Sequence, residues 1–137
     1  ELLIKGRVEE AADLLGRPYA VSGTVVEGDA RGRKLGFPTA NIQTRNEIIP
    51  RRGVYAVKVT FDGETYEAIT NVGLRPTFKK DSLAIEAFIF DFSDDIYGCS
   101  VELEFIARLR DEKAFSSPQE LVTQIERDVA ACRKILS

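Results

Sequence analysis

The sequence predicts a mainly β fold, a small closed barrel of antiparallel strands finished by one C-terminal helix. Two runs alternate with the period of two that marks a strand. Tyr55, Val57, Val59 and Phe61 share one face of Gly53–Phe61, and Val101, Leu103, Phe105, Ala107 and Leu109 share one face of the other. Asp62-Gly63 follows the first run as a hairpin signal, since a tight turn between strands favours residues that tolerate positive φ. Ser117-Pro118-Gln119-Glu120 is a capping box with proline at the first helical position. Beyond it Leu121, Ile125, Val129, Cys132 and Leu136 form one apolar stripe. Short antiparallel strands with one closing helix fit a small barrel.

The elements follow in order. Arg7 to Leu15 reads as a short helix with Val8, Ala11, Ala12 and Leu15 on one face and Gly16 as its C-terminal cap. Arg17-Pro18-Tyr19 leads into a strand from Tyr19 to Glu27, and Phe37 to Gln43 is a second, short strand. After the hairpin the chain returns through Thr65 to Val72. Gly73 to Phe78 reads as a turn-rich crossover, and Lys79 to Ser82 as a polar loop. Leu83 to Phe92 is the most apolar strand, joined to Val101–Leu109 through Asp94-Asp95 and Gly98.

Composition narrows the function. The chain of 137 residues, 44% hydrophobic and 30% charged, has the make-up of one globular domain with a single core. No apolar run approaches the ~20 residues of a membrane span, and Glu1 to Lys5 lacks the basic and apolar regions of a signal peptide. A cytoplasmic protein without membrane or nucleic-acid partners is expected, the net charge of −3 lacking the basic surplus of a nucleic-acid module. The chain starts with Glu and contains no Met, so a piece of a longer protein is expected. Cys99 and Cys132 have no CxxC partner and read as two free thiols, one on a helix. Histidine is absent, which removes imidazole bases, Ser-His-Asp and Cys-His nucleophiles and His-bound zinc. Proton transfer then falls to a carboxylate, Lys, Tyr or Cys, and a metal would be held mainly by oxygen.

The stretch Gly28 to Asn41 carries the strongest chemical signal. Gly28, Gly32 and Gly36 recur at every fourth position with Arg31, Arg33 and Lys34 among them. Glycine loops let backbone N–H groups form a nest for anions, which basic side chains reinforce. The loop closes on Phe37-Pro38-Thr39-Ala40-Asn41, where proline stiffens the backbone. Thr39 and Asn41 point to one side of an extended segment. Neutral oxygens bind Mg²⁺ poorly alone, which suits an ion arriving with nucleotide phosphates. The same residues could equally be a basic hairpin loop and turn formers bonded to their own backbone.

Glu86 is the second signal, the sole charge in Leu83-Ala84-Ile85-Glu86-Ala87-Phe88-Ile89-Phe90. Period two sets it beside Phe88, Phe90 and Phe92. An unpaired buried charge costs several kcal/mol or is neutralised. A barrel cavity holding an aromatic ligand would accommodate it and suit a general base. The alternative is a solvated edge-strand Glu whose aromatic neighbours cover a helix.

Neither the Walker A pattern nor Gly-x-Gly-x-x-Gly occurs. Gly23-Thr24-Val25-Val26-Glu27-Gly28 followed by Gly32-Arg33-Lys34-Leu35-Gly36-Phe37-Pro38-Thr39-Ala40-Asn41 strongly resembles riboflavin kinase, in particular the kinase module of bacterial bifunctional riboflavin kinase/FAD synthetase. The resemblance spans nearly the whole chain, through Pro50-Arg51-Arg52-Gly53-Val54-Tyr55, Asn71-Val72-Gly73-Leu74-Arg75-Pro76-Thr77-Phe78, Ile85-Glu86, Asp91-Phe92, Tyr97-Gly98 and Leu109 to Phe115. Leu15-Gly16-Arg17-Pro18-Tyr19 resembles that family's inter-domain linker, which divides the chain into a linker helix at 1–16 and a kinase domain at 17–137.

The resemblance implies a six-stranded antiparallel Greek-key barrel that transfers the γ-phosphoryl group of ATP to the ribityl 5′-hydroxyl of riboflavin, giving FMN and ADP. It implies that Thr39 and Asn41 hold Mg²⁺–ATP and that Glu86 is the catalytic base. Gly28, Gly32, Arg33, Lys34, Gly36, Phe37 and Pro38 would complete the ATP site. Glu86, Phe88, Leu109, Arg110 and Phe115 would contact the flavin, with Leu109–Phe115 as a flap. Bifunctional members carry an upstream adenylyltransferase domain that makes FAD; it is absent here, so these residues alone are not expected to make FAD. Ala87 and Ile89 are smaller and more apolar than the family leads one to expect. The competing class is a non-catalytic β-barrel module for nucleotides or nucleic acid, with Arg31, Arg33 and Lys34 as a phosphate patch. Its expected interleaving of basic and aromatic positions is missing.

Overall fold

The computed structural model describes residues 5–26, 40–44, 49–75, 82–92 and 96–136. Its elements are α1 (Val8–Leu15), β1 (Tyr19–Val26), β2 (Ala40–Thr44), β3 (Gly53–Phe61), β4 (Glu64–Arg75), β5 (Ser82–Ile89), β6 (Ser100–Arg110) and α2 (Pro118–Leu136). The strands close into a barrel in the order β1-β2-β5-β4-β3-β6, and every pair is antiparallel. The consecutive strands β3, β4 and β5 are neighbours, while β2 returns to β5 and β1 to β6, which is the predicted Greek-key arrangement. Asp62 and Gly63 join β3 to β4 with φ of 53° and 78°, the two positive values the hairpin signal requires.

The barrel is solid. Val21, Tyr55, Val57, Leu103 and Phe105 are all fully buried in its interior cluster, and Tyr55 meets Phe105 edge to face at 5.1 Å. Each such side chain contributes about 1.5–3 kcal/mol through burial. The Tyr55 hydroxyl donates to the Arg51 carbonyl, so the ring's one polar atom is satisfied. Among the described residues these side chains occupy the interior, and Glu86 alternates with the buried Ile85 and Ala87, so its side chain leaves the barrel on the other face. The short helix α1 joins the same cluster through Val8 and Ala11 and ends at Gly16 in the left-handed region. The expected four-residue face is narrower than predicted: Ala12 is half-buried and Leu15 is 58% exposed, because only the turn carrying Val8 and Ala11 reaches the interior cluster.

A second core lies outside the barrel. Val54, Ala56, Ile69, Phe90, Ala107 and Cys132 cluster there, under α2, which packs on β4, β6 and β3. The alternation predicted for Val101–Leu109 fails halfway. Val101, Leu103 and Phe105 face the interior, whereas Ala107 and Leu109 belong to the outer cluster. The β3–β6 register explains the switch, since Ala56 pairs with Ala107 but Val57 pairs with Phe105, and Tyr55 pairs with Arg108 but Val54 with Arg110. Each extra residue on β6 is a bulge, and a one-residue insertion moves the following side chains to the other face.

Two further expectations are corrected. Gly73 to Arg75 continue β4 instead of forming a crossover, because they pair with Ala84, Leu83 and Ser82 of β5. Strand β5 ends at Ile89 rather than Phe92; Asp91 has a φ of 55°, and the turn there breaks the alternation. Phe90 still meets Phe88 at 5.7 Å, but Phe92 packs on Phe61 and Tyr66 beside the interior cluster. The predicted capping box at α2 is formed in its first half: Ser117 Oγ accepts from the Glu120 N–H at 3.2 Å, while the Glu120 carboxylate reaches one residue further back, accepting from the N–H and hydroxyl of Ser116.

Cys99 is exposed and Cys132 buried, both free. The Cys132 thiol donates to the Ala68 carbonyl at 3.3 Å. Burial pushes it up to about 12, from an ordinary value of 9.0. A group with a raised folded pKa contributes stability that is whole below the unfolded value and lost as pH rises toward the folded one. The urea midpoint is therefore expected to fall between pH 9 and 12 more steeply in the natural protein than in Cys132→Ala, measured by circular dichroism.

Candidate functional site

Residues paired across antiparallel strands put their side chains on the same face. Round the barrel, Val26 pairs with Asn41, Asn41 with Glu86, Glu86 with Asn71, Asn71 with Val54 and Val54 with Arg110. Val54 packs in the cluster that holds Cys132 of α2, which identifies this rung as the outer face. Two predicted site residues far apart in sequence, Asn41 and Glu86, thus become direct neighbours. Glu86 is half-buried on a strand with partners on both sides, so the edge-strand reading also falls, since a closed barrel has no edge.

The surroundings divide by rung. On one side Phe88, Ile69, Ala56 and Ala107 pair in sequence and form an apolar wall, with Phe88 against Phe90 and Arg133 over the Phe90 ring at 4.6 Å. On the other side Gly73 pairs with Ala84, so the floor carries almost no side-chain bulk. A Cβ at Gly73 would collide with the Glu112 carboxylate. That carboxylate is held by Arg52 at 2.8 Å. The middle rung presents Asn41, which is 5% exposed, then Glu86, then Asn71, whose Oδ1 is buried and has no hydrogen-bond partner among the described residues.

The predicted flavin residues take different places. Arg110 stands on the same rung beyond Val54, but its guanidinium forks onto Asp128 of α2, Nε to Oδ1 at 3.0 Å and Nη2 to Oδ2 at 2.7 Å. Gln124 donates to the same carboxylate at 2.9 Å, so Arg110 fastens the helix to the barrel. Leu109 lies in the outer cluster. Phe115 is half-buried in the strap between β6 and α2, which is pinned by Arg108 to Asp111 at 2.7 Å, Arg52 to Glu112, and Lys113 to Gln124 at 3.2 Å. The Arg108 partner holds the Asp111 carboxyl below its ordinary value. Gly28, Gly32, Arg33, Lys34, Gly36, Phe37, Pro38 and Thr39 lie outside the described residues. The strands on either side of them, β1 and β2, are paired at Val26 and Asn41, on the rung itself.

Among the described residues no group of three or more His, Cys, Asp or Glu is arranged to hold a metal. The Asn41 amide oxygen and the Glu86 carboxylate are hard donors of the kind Mg²⁺ takes when phosphates supply its other ligands. Ala87 and Ile89, the residues that depart from the family pattern, face inward and are 1% and 6% exposed, so they shape the core and leave the rung unchanged. Asn71 carries no role in the sequence pattern, Gly73 reads there only as part of a turn, and Glu112 only as one residue of the flap. Their signal is the pairing register, which a single strand does not carry.

A family model described as Flavokinase, riboflavin kinase, matches residues 15–136. The chain belongs to the riboflavin kinase family. It is 45% identical over 130 residues to the bifunctional riboflavin kinase/FMN adenylyltransferase of Bacillus subtilis, covering 92% of this chain and 41% of that protein. The Haemophilus influenzae protein of the same name is 42% identical over 134 residues, covering 97% and 44%. The chain therefore spans less than half the length of these riboflavin kinase relatives. The crystal structure of riboflavin kinase from Trypanosoma brucei is similar with a TM-score of 0.62 at 27% identity, over 87% of this chain and 77% of that one. A Streptococcus pneumoniae crystal structure described as a macrolide-efflux protein has a TM-score of 0.92 at 40% identity, over 96% and 44%. Among the described residues no helix is long and apolar enough to cross a membrane.

The Gly73 floor yields a prediction. In Gly73→Ala the added methyl displaces the Glu112 carboxylate, the far end of a flexible side chain, so the fold survives while the Arg52–Glu112 pair breaks. Amide hydrogen exchange is expected to quicken across 111–116 with a melting temperature within ~4 °C, since a largely solvated pair is worth at most about 1 kcal/mol.

Proposed function

We propose that this chain transfers the γ-phosphoryl group of ATP to the ribityl 5′-hydroxyl of riboflavin, making FMN and ADP. The observation that supports it best is the register that sets Glu86 beside Asn41 on the outer face of a riboflavin kinase family barrel. In the proposed reaction the hydroxyl oxygen bonds to the γ-phosphorus, the bond to the β-phosphate oxygen breaks, and the hydroxyl proton passes to the Glu86 carboxylate. Phosphoryl transfer asks chiefly for positioning and charge neutralisation. In a chain without histidine a carboxylate is the available base. Asn41, with Thr39, would hold the Mg²⁺ that accompanies ATP, and the ion would neutralise charge on the phosphates. Gly28, Gly32, Arg33, Lys34, Gly36, Phe37 and Pro38 would complete the nucleotide side. Phe88 offers the flavin an apolar surface next to Glu86, while Leu109, Arg110 and Phe115 border the strap that would close over it.

On this reading the protein works in the cytoplasm, and residues 17–137 are the kinase unit, preceded in the parent chain by a linker at 1–16 and an adenylyltransferase domain. Incubation with riboflavin, ATP and Mg²⁺ followed by chromatography is expected to show FMN and no FAD. Glu86→Gln keeps the shape of the side chain and removes the base. It is expected to bind both substrates while turnover falls by ~10²–10⁴-fold. Unimpaired turnover in that variant would remove Glu86 from the mechanism.

A further inference from the structure

Asn71 is left over from the mechanism above, and its surroundings are unusual. Its Oδ1 is buried and makes no hydrogen bond among the described residues. A buried acceptor left without a donor is a net cost to the fold, and buried polar atoms in native proteins are seldom left so. Asn71 pairs with Glu86 across β4 and β5, so the two side chains emerge side by side on the outer face. The next outward position on β4 is Gly73, opposite Ala84, and the space its missing side chain leaves is taken by the Glu112 carboxylate, the far end of a flexible side chain. Asn41 stands on the other flank of Glu86, where β2 meets β1. The carboxylate is thus bracketed by two amides that belong to two different sides of the site.

We propose that Asn71 is a substrate-binding residue whose Oδ1 accepts a hydrogen bond from a hydroxyl of the polyol chain, next to the hydroxyl that reacts at Glu86. An unpaired carbonyl oxygen needs a donor. Phosphate oxygens of a nucleotide are acceptors and cannot satisfy it, whereas a polyol offers several O–H groups at short spacing. Holding one of them at Asn71 restricts rotation of the chain and keeps the terminal hydroxyl against the base, which is the positional part of catalysis. The amide also gives the site a means of preferring a polyol over an alcohol with a single hydroxyl, because the apolar analogue leaves the acceptor unpaired. This inference rests on the kinase reading of the Glu86 site.

The test uses the chain as it stands, with Asn71→Ala beside the natural sequence. In the kinase assay the variant is expected to raise KM for riboflavin about tenfold, the worth of one hydrogen bond. Its KM for ATP and its Mg²⁺ activation midpoint stay within twofold. A riboflavin analogue lacking the 4′-hydroxyl should be about tenfold poorer for the natural protein and indistinguishable from riboflavin for the variant. The melting temperature without ligand is expected to hold or rise, since the deleted oxygen has no partner among the described residues to lose. An unchanged riboflavin KM overturns the proposal. So does a lowered melting temperature with unaltered kinetics, which marks a structural role, or a shifted Mg²⁺ midpoint alone, which marks a metal ligand. Should the natural chain make no FMN, the kinase reading fails by itself, and riboflavin titration by fluorescence quenching still decides Asn71: equal affinity in both proteins, or none in either, overturns the assignment.

Discussion

The pairing of β5 with β2 on one flank and β4 on the other is the constraint on which the site depends. Backbone hydrogen bonds set the register, and the register places Asn41, Glu86 and Asn71 on one line across three strands. A slip of one residue would turn Glu86 into the interior and bring Ile85 or Ala87 to the surface. Such a slip is opposed by the core, because Ile42, Ile85, Val72 and Ile89 are buried inside the barrel. The hydrophobic effect thus holds a polar constellation that it does not itself contain.

The bulges of β6 solve a related problem at the opposite side. A strand with strict alternation could serve only one core. The two insertions let β6 supply Val101, Leu103 and Phe105 to the barrel interior and then Ala107 and Leu109 to the layer under α2. The second bulge also brings Arg110 outward, where Asp128 receives it in a two-point contact. Helix α2 is consequently anchored by apolar contact through Cys132 and by a guanidinium fork, and the strap at 111–116 is drawn between two fixed ends. Gly73 matters for the same reason, since a missing side chain gives the Glu112 carboxylate somewhere to rest.

Much of this architecture is legible in the residues. Alternation located β3, Asp62-Gly63 located the hairpin, and Ser117 to Glu120 located the start of α2, since each depends on neighbours within a few positions. The errors fall where distant pairing overrides local pattern. Gly73 to Arg75 looked like a turn but pair with β5, and Phe92 looked like part of β5 but lies past the turn at Asp91. Nothing in β6 taken alone announces its bulges, because a bulge is a property of two strands. The absence of histidine and the lone Glu86 pointed to a carboxylate base; where that carboxylate emerges, on the outside of a filled barrel, required the closed sheet.

By itself the sequence determined the kind of chemistry available, oxygen ligands and a carboxylate in a chain without imidazole, and it located the strands, though not the ends of β4 and β5, through periodicities that a residue and its near neighbours carry. Only the tertiary structure decided which of those residues meet. Asn71 and Glu86 become partners through hydrogen bonds between strands that propensity does not specify. The interior, where Tyr55 meets Phe105, is held by core side chains, and the register sets the candidate rung of Asn41, Glu86 and Asn71 on the outer face because neighbours along a strand alternate between faces.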